Sequence, residues 1–345
     1  MKIQVACVQM QTRIYESEDS FQLDIYKLTE RAHKLGCALI VFPEGAGAML
    51  SPQFMPKALV KVLAAAYNEN AGASAFVSGG KRILGRFVDR VTATQDLAAT
   101  FNETLAEKGT ELRDSYIRVF SNAARKFNIN IVAGSNYGPD ETTGNIVNSA
   151  YVFGPDGEVL GYQNKLHLYI EDTHICVPGE QIKVFETSFG KIGVLICYEG
   201  MFPEVSRVMA AKGAKALINV SACPGKTCFS KIRAGTWSRV QDNLVFGLHS
   251  CLVGRNDLSK QFTQPYCGLS SIMAPIEYTE DLIGILTEAT DLNECSFLFA
   301  EWDFDRLDAL RRTTDTPVNC DLRFDLILNE YNQLKDSVAM RKYSS

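Results

Sequence analysis

Three side chains capable of chemistry stand where apolar runs end. Glu44 follows "ALIVFP", Lys165 follows "VLGYQN" and Cys197 follows "IGVLI". A thiol is a nucleophile, a carboxylate accepts a proton, and an ammonium holds developing negative charge. Ligands of open α/β sheets bind beyond the carboxyl ends of strands. Three strand ends carrying these groups are therefore candidates for one site. Taken singly, each has a plainer reading. Glu44 reads as the cap of a following helix, Lys165 as a solvated loop residue, and Cys197 as a small hydrophobe in a core. The plain readings weaken when they must explain all three positions together.

The elements that must position these groups alternate between strand and helix. Residues 3–10, "IQVACVQM", read as a strand. Residues 20–36 carry Leu23, Ile25, Tyr26, Leu28 and Ala32 on one helical face, and Gly36 can end that helix. "CALIVFPEG" (37–45) is a continuous apolar run with a proline stop, as expected of a strand buried on both faces. Helices are expected after Pro56 and over 112–128, and a strand over 129–135. Residues 146–165 form a hairpin around Gly-Pro-Asp-Gly, and 182–197 a second hairpin turning near Phe189-Gly190. Beyond Cys197 come a helix from "FPEV", a strand over 214–222 and a helix through "RAGTWSRVQDN". Strands over 244–254 and 268–275 follow, and 296–312 pass from strand into helix. This predicts a single α/β domain with helices layered on a mixed sheet divided in two. The domain is expected over 1–320. Within it, 71–110 has weak periodicity and reads as a surface insertion with some helix. Residues 321–345 read as a C-terminal tail, with an oligomer interface as its expected place.

"VFPEG", "NKLHL" and "ICYEGMFPEV" resemble, in order and spacing, the three motifs of the nitrilase superfamily, the carbon–nitrogen hydrolases with a Glu-Lys-Cys triad. "INVSACPG" and "GLSSIMAP" are similar to later pieces of the same family, so the likeness runs from residue 3 to about 310. It implies a four-layer αββα sandwich of two mixed sheets flanked by helices, assembling as a homodimer or larger homo-oligomer. It implies Cys197 as nucleophile, Glu44 as general base and Lys165 as the group that stabilises the tetrahedral intermediate. The chemistry agrees. A thiol near its ordinary pKa of ~8.5 is mostly protonated at neutral pH and gains from a base. Glu44 can take the thiol proton and pass it to the leaving nitrogen. Lys165 and the backbone N–H of Tyr198 can hold the oxyanion. Because "GMFPEV" starts a helix, a helix N-terminus near Cys197 is expected to favour thiolate.

Many members of the family carry a second glutamate after the lysine, which positions substrate or water. In this loop Glu171 lies six residues and Asp172 seven residues after Lys165. Glu171 is the expected positioning residue and Asp172 its competitor; Glu180, past Pro178-Gly179, reads as a turn residue. Glu199, although next to the thiol's turn, is not expected to be the base. Cys-Tyr-Glu-Gly-Met-Phe-Pro-Glu most resembles amidases with Cys-Tyr-Asp-Gly-x-Tyr-Pro-Glu. The expected substrate is a small linear amide, cleaved through a cysteine thioester. N-carbamoyl hydrolases and nitrilases are the alternatives, and a non-catalytic metabolite-binding or scaffold member is a further one.

Other classes find little support. Lys and Arg number 35 against 40 Asp and Glu, a net charge of −5, and no basic stripe stands out, which argues against nucleic-acid binding. The longest apolar runs are shorter than a membrane span, and "MKIQVACVQMQT" lacks the features of a signal peptide. A cytoplasmic location with reduced thiols is expected for the ten cysteines. Cys223 and Cys228 lack further ligands at zinc-site spacing, and the triad chemistry requires neither a metal nor an organic cofactor. "EGAGAM" and "VSGGKR" lack the remaining features of nucleotide-binding loops. His33 and His249 read as structural, while His167 and His174 fall in the loop after Lys165.

Overall fold

The computed structural model describes residues 1–68, 97–256 and 264–339 of the 345-residue chain. The chain opens with β1 (Lys2–Gln11), α1 (Glu18–Lys34), β2 (Cys37–Val41) and α2 (Lys57–Asn68). The side chain of Ser17 caps α1 by accepting from the Ser20 N–H. Glu18 and Asp19 occupy its first turn, with Arg31, His33 and Lys34 in its last. Both charge sets complement the helix dipole. Phe21, Ile25, Thr29 and Ala32 form its buried stripe. Next come α3 (Leu97–Phe127), β3 (Asn130–Val132), β4 (Asn136–Pro139), β5 (Ile146–Phe153) and β6 (Val159–Asn164). The second half supplies β7 (Phe185–Thr187), β8 (Gly190–Ile196), α4 (Pro203–Ala211), β9 (Ala216–Ser221), α5 (Gly225–Asn243) and β10 (Phe246–Val253). It closes with β11 (Ser271–Met273), β12 (Ile285–Glu288), β13 (Ser296–Asp303), α6 (Phe304–Thr313), α7 (Val318–Asp321) and α8 (Phe324–Ala339).

Side-chain alternation along β1 sorts the chain into four layers. Ala6, Val8 and Met10 pack with residues of α1 and α3, including Phe21, Ile25 and Phe120. Val5 and Cys7 point the other way, into a core shared with Val194 and Ile196 of β8 and with Ile218 and Val220 of β9. On the far side of that second sheet, Leu195 and Leu217 pack with Val205 and Met209 of α4. The order is helices, sheet, sheet, helices, each strand serving two cores through its period of two. The first sheet runs β4-β5-β3-β2-β1, with β6 on β5 and β13 on β1; the second runs β10-β9-β8-β7, with β11 and β12 beyond β10. Both are mixed, with parallel β1–β2–β3 and β8–β9–β10 and antiparallel hairpins at the margins.

The two sheets are not separate. β1 outruns its five-residue neighbour β2, and its last residues pair with β10 at Met10↔Leu252 and Gln11↔Val253. That short parallel contact joins the sheets into one curled, hydrogen-bonded surface.

The helix expected over 112–128 is longer than its sequence signal. It begins at Leu97, and Phe101, Leu105, Leu112, Tyr116 and Phe120 keep one buried face along it. Residues 97–110, expected as part of a surface insertion, therefore belong to a core-packed helix; 69–96 lie outside the described residues. Within the segment expected as a tail, Phe324–Ala339 form α8, with Phe324, Leu326, Leu328 and Tyr331 exposed. No described helix is long and apolar enough to cross a membrane.

Candidate active site

The three strand ends meet in one pocket. Glu44, Lys165 and Cys197 all line it, together with Tyr137, Tyr169, Glu171 and Asp172. Glu44 lies three residues beyond β2, on a turn that the neighbouring loop braces. The side-chain hydroxyl of Ser135 accepts from the Gly45 N–H at 3.1 Å, and the Ser135 carbonyl accepts from the Gly47 N–H at 3.0 Å. The two loops touch so closely at Gly134 that an added Cβ would stand 1.9 Å from the Pro43 carbonyl oxygen. Gly134 also has φ +73°, so a side chain there is excluded twice over.

Lys165 leaves the end of β6 and is 2% exposed. Its Nζ donates to Glu44 Oε1 and Asp172 Oδ2, each at 2.7 Å. Both acids accept further hydrogen bonds. Glu44 Oε1 accepts from Asn148 Nδ2 at 3.0 Å and Oε2 from the Ala222 N–H at 2.9 Å. Asp172 accepts from the Tyr137 hydroxyl at 2.7 Å and the Tyr169 N–H at 3.0 Å. Burial works against charge on Lys165, but the charges of Asp172 and Glu44 outweigh it and hold its pKa well above the ordinary lysine value. The ammonium form is therefore favoured, suited to holding an anion rather than removing a proton. Burial raises the pKa of Glu44 despite the opposing pull of Lys165, which makes it a stronger base than an exposed carboxylate.

Cys197 follows β8 and takes a left-handed backbone, φ 52°, unusual for a non-glycine residue. It opens a short 3-10 turn, Cys197–Met201. Its own N–H donates to Asn219 Oδ1 at 2.9 Å, and Asn219 Nδ2 returns a bond to the Cys197 carbonyl at 3.3 Å. The side-chain amide of Asn219 on β9 thus fixes the turn and engages the Cys197 N–H. Glu199 fastens the same turn to the lysine strand, accepting from the Ile196 N–H at 2.8 Å and the Leu166 N–H at 2.5 Å. Burial pushes Glu199 up to about 7, while those two backbone donors pull it down. Glu199→Gln presents an NH2 group to one of two N–H donors. At pH 8 it should cost about 1–3 kcal/mol, read by denaturant unfolding; an unchanged midpoint would remove Glu199 from this bracing role.

The thiol differs from the expectation of a thiolate at a helix N-terminus. The Cys223 contact pulls the Cys197 pKa down, but burial and the Glu44 charge push it up further, and the net direction is upward. The helix is also further away than its sequence signal suggests. α4 starts only at Pro203, so its N-terminal dipole is not delivered directly at Cys197.

A family model described as Carbon-nitrogen hydrolase matches residues 4–277. The chain belongs to the carbon-nitrogen hydrolase family. Its relatives include Probable hydrolase YhcX of Bacillus subtilis, 33% identical over 181 residues, or 52% of this chain and 34% of that protein. Omega-amidase NIT3 of Saccharomyces cerevisiae is 30% identical over 219 residues, 61% of this chain and 70% of that protein. The match to this chain thus spans about a third of the Bacillus protein's length. The crystal structure of Saccharomyces cerevisiae Nit3, a member of branch 10 of the nitrilase superfamily, shares the fold. Its TM-score is 0.62 at 23% identity, covering 91% of this chain and 94% of that one.

In this carbon-nitrogen hydrolase the loop after Lys165 presents both expected carboxylates to the pocket, in different settings. Asp172 is buried against the lysine. Glu171 is half-buried, and burial, with the charges of Asp172 and Glu44, pushes it up to about 7. The Tyr198 ring packs edge-on against Phe202 and Tyr169. Among the histidines, His167 stacks on Phe202 with ring centroids 3.8 Å apart, and His249 is buried and shares a 2.9 Å hydrogen bond with Ser221. Sequence reasoning missed Asn148, Asn219 and Tyr137. A signal for the first two was present: each is an amide inside an otherwise apolar strand, where a polar group needs a partner.

Proposed function

We propose that this chain hydrolyses the C–N bond of small linear amides through a Cys197 thioester. The observation that carries the reading is the Lys165 ammonium held at 2.7 Å between Glu44 and Asp172, in the pocket that also receives Cys197. A neutral thiol beside a raised, buried carboxylate is a nucleophile with its base at hand. Glu44 takes the thiol proton as Sγ attacks the amide carbonyl. Lys165 Nζ and the Tyr198 N–H hold the oxyanion, the Cys197 N–H being engaged by Asn219. Glu44 then gives its proton to the departing nitrogen, and ammonia or an amine leaves. Glu44 deprotonates a water that attacks the thioester, and the proton returns to Cys197 as the acid departs. Met49, Met55, Phe101 and Leu252 give the pocket an apolar wall for the acyl portion. The name of the yeast relative, an omega-amidase, puts amides ahead of nitriles and carbamoyl compounds.

The testing experiment is intact-mass analysis of the protein quenched during turnover of a mixed panel of amides, nitriles and carbamoyl compounds. An acyl adduct on Cys197 from an amide, intercepted by hydroxylamine as a hydroxamate, is the expected result. Turnover of amides with no adduct and no hydroxamate would remove the thioester. Adducts from nitriles alone would reassign the substrate.

Glu171 is assigned to positioning the substrate nitrogen or the attacking water, in its ionised form. Raised to about 7, it should give kcat/KM an ascending limb near that pH. Glu171→Gln should flatten the limb, and a limb that persists unchanged belongs to another group.

A further inference from the structure

Two thiols that the hydrolysis does not use lie beside the one it does. Cys223 Sγ is 3.7 Å from Cys197 Sγ. Cys228, which lines the pocket on the first turn of α5, packs against the same cluster as Cys223. Cys223 itself is 1% exposed and lies just beyond β9, behind the pocket wall. A reagent in the pocket therefore meets Cys197 before Cys223. We propose that Cys197 and Cys223 form a reversible oxidation site, at which a hydroperoxide entering the pocket joins the two thiols as a disulfide.

The chemistry balances in two steps. Cys197 Sγ attacks the terminal peroxide oxygen, the O–O bond breaks, and the thiol proton leaves on the departing alcohol or water. Cys197 is now a sulfenic acid, oxidised by two electrons, and the peroxide is reduced by two. Cys223 Sγ then attacks that sulfur, the S–O bond breaks, and the hydroxide leaves as water with the Cys223 proton. The sulfurs must close by about 1.7 Å to reach disulfide length. The Cys223 backbone is held by the Cys267 N–H bonding to its carbonyl at 3.1 Å, so closure falls to side-chain rotation. Glu44, which serves the thiol in hydrolysis, is equally able to take its proton here.

The outcome differs from oxidation of a solitary nucleophile. A lone sulfenic acid is oxidised by a second hydroperoxide to sulfinic acid, which ordinary thiols do not reverse. A partner already in contact diverts it to a disulfide that a dithiol reduces. The oxidised pair has no free nucleophile, so amide hydrolysis stops until reduction.

The test uses the full reduced chain treated with hydrogen peroxide and mapped by non-reducing peptide mass spectrometry. Its readout is the state of Cys197, independent of the substrate. The expected product has lost two hydrogens, contains linked Cys197 and Cys223 peptides, and regains iodoacetamide labelling at Cys197 after dithiothreitol. In Cys223→Ala, Cys197 should instead gain two oxygens, and dithiothreitol should not restore its labelling. Should that variant not fold, the wild-type map still decides. Three outcomes overturn the proposal: Cys197 gaining oxygens in the wild type without a cross-link, a Cys223–Cys228 link with Cys197 still open to alkylation, and full recovery of Cys223→Ala by dithiothreitol.

Discussion

Cys197→Ala lowers kcat/KM for any accepted amide by at least about four orders of magnitude, the scale on which loss of a covalent nucleophile acts. The expectation follows from the site's division of labour. In the proposed mechanism Glu44 and Lys165 have no covalent role, and without Sγ no acyl-enzyme can form. The fold should survive, because the Cys197 turn is held by Asn219 and Glu199 through backbone groups that alanine retains. Alanine keeps the Cβ and must keep the φ of 52°, a strain already present in the native residue. The measurement is steady-state hydrolysis alongside thermal unfolding. A folded variant within about tenfold of wild type, or ~1.4 kcal/mol of barrier, would show that Cys197 is not the nucleophile.

Lys165→Met is expected to damage both catalysis and stability. It leaves Glu44 and Asp172 buried close together without their shared cation. Removing one partner of a buried charge cluster costs about 3–5 kcal/mol. The pH dependence gives a second readout. Without the ammonium, Glu44, already raised by burial, loses the charge that opposed that rise and binds its proton still more tightly in the folded state than in the unfolded one. Stability then falls as pH rises, so the variant should recover part of the loss as pH is lowered. Activity should not recover with it, because a protonated Glu44 is no base and the oxyanion has lost its ammonium. A variant with wild-type unfolding at pH 8 would show that the lysine carries little of the cluster's charge balance. One with wild-type turnover would remove Lys165 from the oxyanion site.

How far these residues could be read before folding depended on where each one's partner lies. Glu44, Lys165 and Cys197 could be picked out because each stands within three residues of a strand end, and strand ends are visible as the close of an apolar run. The competition between Glu171 and Asp172 could not be settled in that way. Both are acidic, adjacent and in a loop without periodicity. The Tyr137 hydroxyl, the Tyr169 N–H and the Lys165 ammonium gather at Asp172 only once the loop folds. Helix α3 failed for a different reason. Its N-terminal half has small and polar residues between Phe101, Leu105 and Leu112, so its apolar face is sparse until it meets the sheet.

Local sequence by itself determined most strand and helix types and the three chemical groups with their strand ends. These depend on neighbours a few residues apart, through side-chain periods and turn residues. The tertiary structure alone decided what those groups touch. Glu44 is fixed by Lys165, 121 residues away, and by the Ala222 N–H, 178 residues away. It also decided that Cys197 rests against Cys223 as a thiol with a raised pKa, and that β1 and β10 join the two sheets at one corner. The physical reason is the same in each case. Burial, charge balance and hydrogen-bond geometry belong to pairs of groups that chain folding brings together, and spacing along the chain does not encode their distance.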